Sequence, residues 1–451
     1  MHEESFSLAR PENPADLILR GGVVHTLGGA GGSAIAVCAG RVAAVGAEPE
    51  VLSLAGRHTE VFELHGRAVL PGINDAHLHA TWLGALWPET VLGPGSAPCR
   101  PLRNGAQRRA AILRAGELLS ALGITSYTEP GLGPGENDGP SGAFGDSVVE
   151  QYRTLAAQGL LRARVNILSL YGELDGPSGL PGFLAGLAGM PDGADQCGLR
   201  FGGVKIFADG IPQTRSAYTR HRYLMGGHGT LLVDGTDDAA REQDLGAMIE
   251  AAHLAGQQIG VHATGDRGVQ VVLDAIERAS LRRTGEFGHH IVHGDLAEPA
   301  QLRRMAALGV GLAMQPGLAL HTRAGVESVL GTEVARSAWP LGAALREGVR
   351  LCLSSDAPVL SPDWRVQLAA ADELLGPTED PRRRMARLLR CYTVEPARLD
   401  GAAGWKGTLL PGMAADLCVL AQDPFTVPAA GLPEVEVDLT VLGGRIVYRR
   451  G

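Results

Sequence analysis

Between residues 72 and 358 the sequence repeats one arrangement eight times: a short apolar run, mostly with polar residues at its end, then in most cases a helical stretch. The runs are GINDAHLH (72–79), GITSYTE (123–129), RVNILSLY (164–171), GVKIFADG (203–210), QIGVHATG (258–265), HHIVHGD (289–295), VGLAMQP (310–316) and VRLCLSSDAP (349–358). Stretches such as RGVQVVLDAIERASLRR (267–283) and EPAQLRRMAALG (298–309) fit helices between them. Strands alternating with helices argue for β-α-β units and a parallel sheet, and eight of them predict a (β/α)8 barrel, an α/β TIM barrel.

The two ends of the chain read differently. Residues 16–70 carry β-segments with turns (DLILRGGVVHTL, AIAVCAGRVAAVG, EVFELHGRAVL), and 404–451 read the same way (GTLLPGMAADLCVLA, EVDLTVLGGRIVYRRG). Gly-Gly and Ala-Gly stand where hairpins would turn. The segments 1–70 and 401–451 are therefore expected to form one small β-sandwich domain, with 71–400 as the barrel. At 451 residues and 45% hydrophobic, the chain has enough apolar mass for one large core with such an appendage.

A net charge of -9 argues against nucleic acid and anionic membranes as partners. No apolar run is long enough to span a bilayer, and MHEESFSLARPENPADLIL lacks the basic and apolar regions of a secretory signal. The cysteines at 38, 99, 197, 352, 391 and 418 are scattered, with no CxxC pair. They read as reduced thiols, and the expectation is a cytoplasmic protein.

In a barrel of this kind the C-terminal strand ends face the active site. His77 and His79 end the first run, with Leu78 between them facing the other way. Lys205 lies in the fourth, His262 near the end of the fifth, His293 near the end of the sixth and Asp356 in the eighth. A lone strand histidine is ordinarily a hydrogen-bonded core residue, and a Ser-Asp at a strand end ordinarily caps the next helix. Four histidines and an aspartate converging on one barrel end are instead the ligand set of a divalent ion, zinc foremost, with one or two ions per chain. Lys205 is one of only two lysines; the other is Lys406, and every other Lys+Arg position is arginine.

The strings LPGINDAHLH, KIFADG, VHATGDRGV, IVHGD and SSDAPV resemble the motifs of the amidohydrolase superfamily, and GTLLPGMAADLCVL resembles its C-terminal β-return. KIFADG and HATGDR resemble more narrowly the amidohydrolase-3 group, the YtcJ-like and N-substituted formamide deformylase-like proteins. The resemblance runs from about residue 16 to about 425. It implies a metal-dependent hydrolase cleaving a C–N amide-type bond in a small-molecule substrate (N-acyl, N-formyl or cyclic amide), and a homodimer as the family default. It implies that His77, His79 and Asp356 hold one ion and His262 and His293 a second, with a carboxylated Lys205 bridging them. Arginine could not take that place, because its guanidinium stays protonated. Asp356 would be general base and then acid toward a metal-activated water. No G-x-S-x-G elbow occurs, in keeping with a reaction that needs no serine nucleophile. Ester or lactone hydrolysis, deamination, or a non-catalytic binding role are the alternatives.

Four residues stand as substrate contacts: Trp82 just past the His pair, Arg215 in ADGIPQTRSA, Arg267 after HATGD, and His321 in MQPGLALH. His321 would stand in for a histidine that related proteins often carry in MQPTH. Asp266 reads as a structural partner of its loop. Strict alternation puts His289 and Ile291 on the face of His293, and neither His289 nor His290 is counted as a ligand. Where related proteins often have Ala-Gln after the strand-six histidine, this chain has Gly294-Asp295. The Pro/Gly-rich segment 80–122 is short, which suggests an open or differently shaped pocket.

Overall fold

The computed structural model describes residues 14–93, 101–191, 193, 195, 197–377 and 379–451. Five strands open the chain: β1 (Ala15–Val24), β2 (Gly32–Cys38), β3 (Arg41–Gly46), β4 (Ala55–Glu63) and β5 (Ala68–Pro71). Eight more follow: β6 (Ile73–Asp75), β7 (Ile124–Leu132), β8 (Arg164–Leu170), β9 (Leu199–Phe207), β10 (Gln258–Ala263), β11 (His290–His293), β12 (Gly311–Met314) and β13 (Leu351–Leu353). They hydrogen-bond in chain order, each parallel to the next. Backbone bonds from Asp356 N to His77 O (2.9 Å) and His79 N to Ala357 O (2.7 Å) then join the last strand's end to the first strand's end. All eight expected runs are present, in a TIM-barrel arrangement.

The helices pack their apolar stripes on the outside of this sheet. In the helix Asp266–Ser280, Val269, Val272, Leu273 and Ile276 follow i, i+3, i+4, i+7 spacing and are buried. Each such side chain contributes roughly 1.5–3 kcal/mol relative to an exposed one.

The ends of the chain meet as expected. Strands β14 (Leu417–Leu420), β15 (Val437–Leu442) and β16 (Arg445–Arg449) join β1–β5 in one eight-stranded sheet, where β14 pairs antiparallel with β5. Leu19, Ile35 and Leu64 from the N-terminal part share a buried cluster with Val419, Leu439 and Val441 from the C-terminal part. Arg164 on β8 holds Asp416 at 2.7 Å and ties this sheet to the barrel.

The barrel's N-terminal end is closed by a buried polar plug, which accounts for the second lysine. Lys406 Nζ donates to Asp400 Oδ2 (2.6 Å) and Ser126 Oγ (2.8 Å), and Asn74 Nδ2 donates to the same carboxylate (2.9 Å). A buried charge is tolerated when paired and hydrogen-bonded, as here. No disulfide joins cysteines among the described residues, and Cys99 lies outside them. No helix among the described residues is long and apolar enough to cross a membrane.

Candidate metal centre

At the barrel's C-terminal end the chain bends sharply after β6. Asp75 makes this bend: its carboxylate accepts from His77 N (3.1 Å) and from Ser355 N (3.1 and 3.2 Å) on the far side of the barrel seam. The His77 and His79 rings are thereby brought to Asp356, whose Oδ1 lies 3.3 Å from His77 Nε2 and 3.5 Å from His79 Nε2. Buried Nδ1 atoms of both rings have no hydrogen-bond partner.

Lys205 lies on the inner face of β9, level with Gly260 of β10. It is 1% exposed, and its Nζ sits 4.5 Å from the Phe207 ring centre, with no hydrogen-bond acceptor among the described residues. A structural pairing with Asp209 is not made, because that carboxylate accepts the backbone N–H groups of Tyr218, Thr264 and Gly265 instead. Burial pushes the Lys205 amine down to about 8, against the pull of Asp356 and Asp175. His262 follows on β10, 4.5 Å from His293 between ring centres, with its Nε2 3.3 Å from Gly210 O.

His293 enters the site by a route that alternation does not foresee. Gly260 is level with both Lys205 and His290, so His290 and Val292 share the inner face and His293 should point outward. The backbone at His293 is left-handed (φ 72°), followed by Gly294 at φ 61°, and this turns the ring inward. His289, expected on the face of His293, instead stays outside, bonded to His253 at 2.9 Å. Asp356 also takes a left-handed conformation (φ 55°). Such conformations cluster at functional sites, held by their surroundings.

One ligand-type atom each from His77, His293 and Asp356 lies within 4.8 Å of the others. Burial keeps the imidazoles unprotonated: His77 and His262 fall well below the ordinary histidine range, and His293 is lowered to about 4. Burial alone would raise Asp356, but hydrogen bonds from His77 and His79, with the pull of the His77 and His293 rings, outweigh it and hold its carboxyl well below the usual range. Neutral imidazoles beside an ionised carboxylate are the donor set that zinc and similar divalent ions require.

Other residues brace these groups. Gln315 Oε1 accepts from His293 Nδ1 (2.7 Å), which leaves Nε2 as the ring's free donor atom. Gln315 is itself fixed by donating to Ser354 Oγ (2.8 Å). Glu129 accepts from Ala80 N (2.7 Å) and Tyr152 Oη (2.8 Å), and its other oxygen lies 3.9 Å from His79 Nδ1. Burial raises Glu129 to about 7. A Gln315→Leu variant is expected to bind divalent metal about 10–100-fold more weakly. Competition with a chromophoric chelator measures this.

A cavity of about 390 Å³ opens above these residues. Among the substrate-contact candidates, only Trp82 lines it, edge-on to Phe144. Arg215 is exposed and lies outside the lining, although Ile211 and Gln213 of the same loop are in it. Arg267 grips Glu242 with both Nε (3.0 Å) and Nη2 (2.7 Å) and does not line the cavity. His321 sits exposed on the helix Pro316–Leu330, its Nδ1 2.9 Å from Gly317 O, while Leu318 and Thr322 of that helix reach the cavity. Asp266 is buried and accepts from Thr219 Oγ1 and Arg220 N. The segment after the His pair covers part of the mouth: Val91 and Leu92 line it, bonded to Pro358 O (2.9 Å) and Val359 O (3.0 Å). A second cavity of about 310 Å³, at the N-terminal strand ends, is lined by Arg350, Arg387 and Arg398 and by none of these histidines.

A parallel eight-stranded barrel with histidines and an aspartate gathered at its C-terminal edge defines the class of metal-dependent barrel hydrolases. The model of the amidohydrolase family (Amidohydro_3) matches residues 92–448, and the chain belongs to that family. It is 26% identical over 522 residues to N-substituted formamide deformylase of Arthrobacter pascens, covering 92% of this chain and 95% of that protein. It is 28% identical over 262 residues to YtcJ of Bacillus subtilis, covering 56% of this chain and about half (48%) of that protein. The fold is that of a metal-dependent hydrolase from Pyrococcus furiosus, with a TM-score of 0.72, 22% identity, and coverage of 91% of this chain and 99% of that one. The chain is accordingly an amidohydrolase-family hydrolase.

Proposed function

We propose that this hydrolase cleaves an amide-type bond (N-acyl, N-formyl or cyclic amide) at a zinc-type centre of two divalent ions. The observation that carries the reading is the convergence of unprotonated His77, His262 and His293 with ionised Asp356 and a buried Lys205 that has no hydrogen-bond acceptor among the described residues, all on one cavity. His77, His79 and Asp356 are suited to hold one ion, and His262 and His293 the other. Lys205 in carboxylated form would bridge them. Divalent ions held there supply Lewis acidity toward the scissile carbonyl and acidify water.

The protein's own groups do the rest. Asp356 takes the proton of the attacking water and returns it to the leaving nitrogen. Gln315 and Glu129 hold His293 and the His79 turn in place, so that the site does not rearrange during the reaction. The apolar walls of Trp82, Leu92 and Phe207 keep bulk water from the reacting bond.

The test is release of a primary amine from N-formyl and N-acyl amines by the metal-loaded protein, beside its metal content. Amine release that disappears on chelation and returns with metal supports the reading. A chain that binds no divalent ion even when supplied with it would overturn the reading and point to a binding protein.

A further inference from the structure

The cavity carries two carboxylates for which the proposed reaction has no use. Asp175, on the loop after β8, and Asp295, just after β11, both line it. Asp295 is 5% exposed, and its Oδ1 makes no hydrogen bond of ordinary geometry among the described residues, although the Trp339 side chain is near enough to favour its ionised form against burial. Asp175 stands open at the rim with a left-handed backbone (φ 51°), makes no hydrogen bond among the described residues, and acts electrostatically on Lys205. Lys205 is the one cationic side chain among the described lining residues, and the proposed reading places it at the metal centre. No guanidinium lines the cavity among those residues. The rest of the wall is largely apolar, with Trp82, Leu92, Leu174, Phe207, Ile211 and Leu318 prominent.

A substrate carboxylate entering this space would meet two carboxyl groups, with no protein cation among the described lining residues to receive it. A group rich in N–H donors would satisfy the orphaned Asp295 oxygen, and, if cationic, would form a charge-assisted pair with Asp175. Either protonation state of Asp295 offers an acceptor oxygen.

Building on the amide-hydrolase reading, we infer that the substrate is an amide carrying a cationic group on an apolar spacer. Asp175 and Asp295 are its specificity residues, and N-acyl amino acids and other anionic amides are rejected.

The test uses the metal-loaded full chain and three formamides on one scaffold. These are N-formylbenzylamine, its 4-aminomethyl derivative and its 4-carboxylate. The expected order of kcat/KM is cation, neutral, anion, with roughly 100-fold between the extremes. Asp175→Asn, at the exposed rim where folding is not at stake, is expected to compress that ratio about tenfold through KM for the cation, with metal content unchanged. Asp295→Asn should compress it further. A ratio near one, a preference for the anion, or variants with the wild-type ratio would overturn the inference. If the metal-loaded chain hydrolyses no amide at all, the hydrolase reading falls, and calorimetric binding then decides the charge preference. Tighter binding of 1,4-bis(aminomethyl)benzene than of terephthalate, weakened by Asp175→Asn, would uphold the inference; equal binding would overturn it.

Discussion

A Lys205→Ala variant is expected to hold about one divalent ion per chain or fewer where the wild type holds about two, and to lose roughly 10³-fold or more in kcat/KM. An amine buried to 1% exposure with no hydrogen-bond acceptor among the described residues is destabilising unless something compensates it. On the proposed reading, reaction with CO₂ would supply the compensation: the neutral amine would attack carbon and lose a proton, and the carbamate would offer two oxygens to metal ions. Burial brings the amine to about 8, so part of it is neutral near pH 7, and that part grows as pH rises. Reconstitution of the metal-free protein should therefore speed up with added bicarbonate, and more so at pH 8 than at pH 6.5. Lys205→Arg should behave like the alanine variant, because guanidinium does not release its proton. Metal analysis of the three proteins, purified side by side, reads the outcome. Two ions in all three would make Lys205 a structural residue and the centre independent of it.

The same lysine shows how much of this site the sequence discloses. The eight apolar runs and their polar ends follow from strand periodicity, and that periodicity places Lys205 and His262 on the inner wall. Periodicity fails at His293 because its backbone is left-handed, a conformation no apolar pattern records; Asp356 is also left-handed, but alternation from the inward Cys352 already puts it on the inner face. The residues that hold the ligands in place leave a weaker mark in the sequence. Asp75 lies inside a quoted motif, and Glu129 ends the second run, but a carboxylate at a strand end looks the same in sequence whether it caps a helix or braces a histidine. Gln315 gave no signal beyond its place after β12. The arginines misled for a related reason. Arg215 and Arg267 follow site-bearing strands, yet the fold directs one outward to solvent and the other to Glu242, a residue 25 positions away.

Asp356→Asn separates metal binding from proton transfer at nearly constant shape. The amide is isosteric with the carboxylate and still presents an oxygen toward His77 and His79, which lie 3.3 and 3.5 Å from Oδ1. It carries no charge and cannot take a proton from water. Loss of a general base alone costs typically 10²–10⁴ in rate, and a weakened ligand adds to that, so kcat should fall by roughly 10³–10⁵-fold. The fold should survive, because the variant removes a buried charge rather than an apolar contact. A retained thermal transition, together with a lost low-pH limb in the kcat profile, would assign Asp356 as the proton acceptor. That limb belongs to the carboxylate, whose pKa lies below the usual range, so the wild type should stay active to lower pH than an ordinary aspartate would allow. An Asp356→Asn protein within tenfold of wild-type turnover would place the proton acceptor elsewhere, and Glu129, buried beside His79, is the carboxylate to examine next.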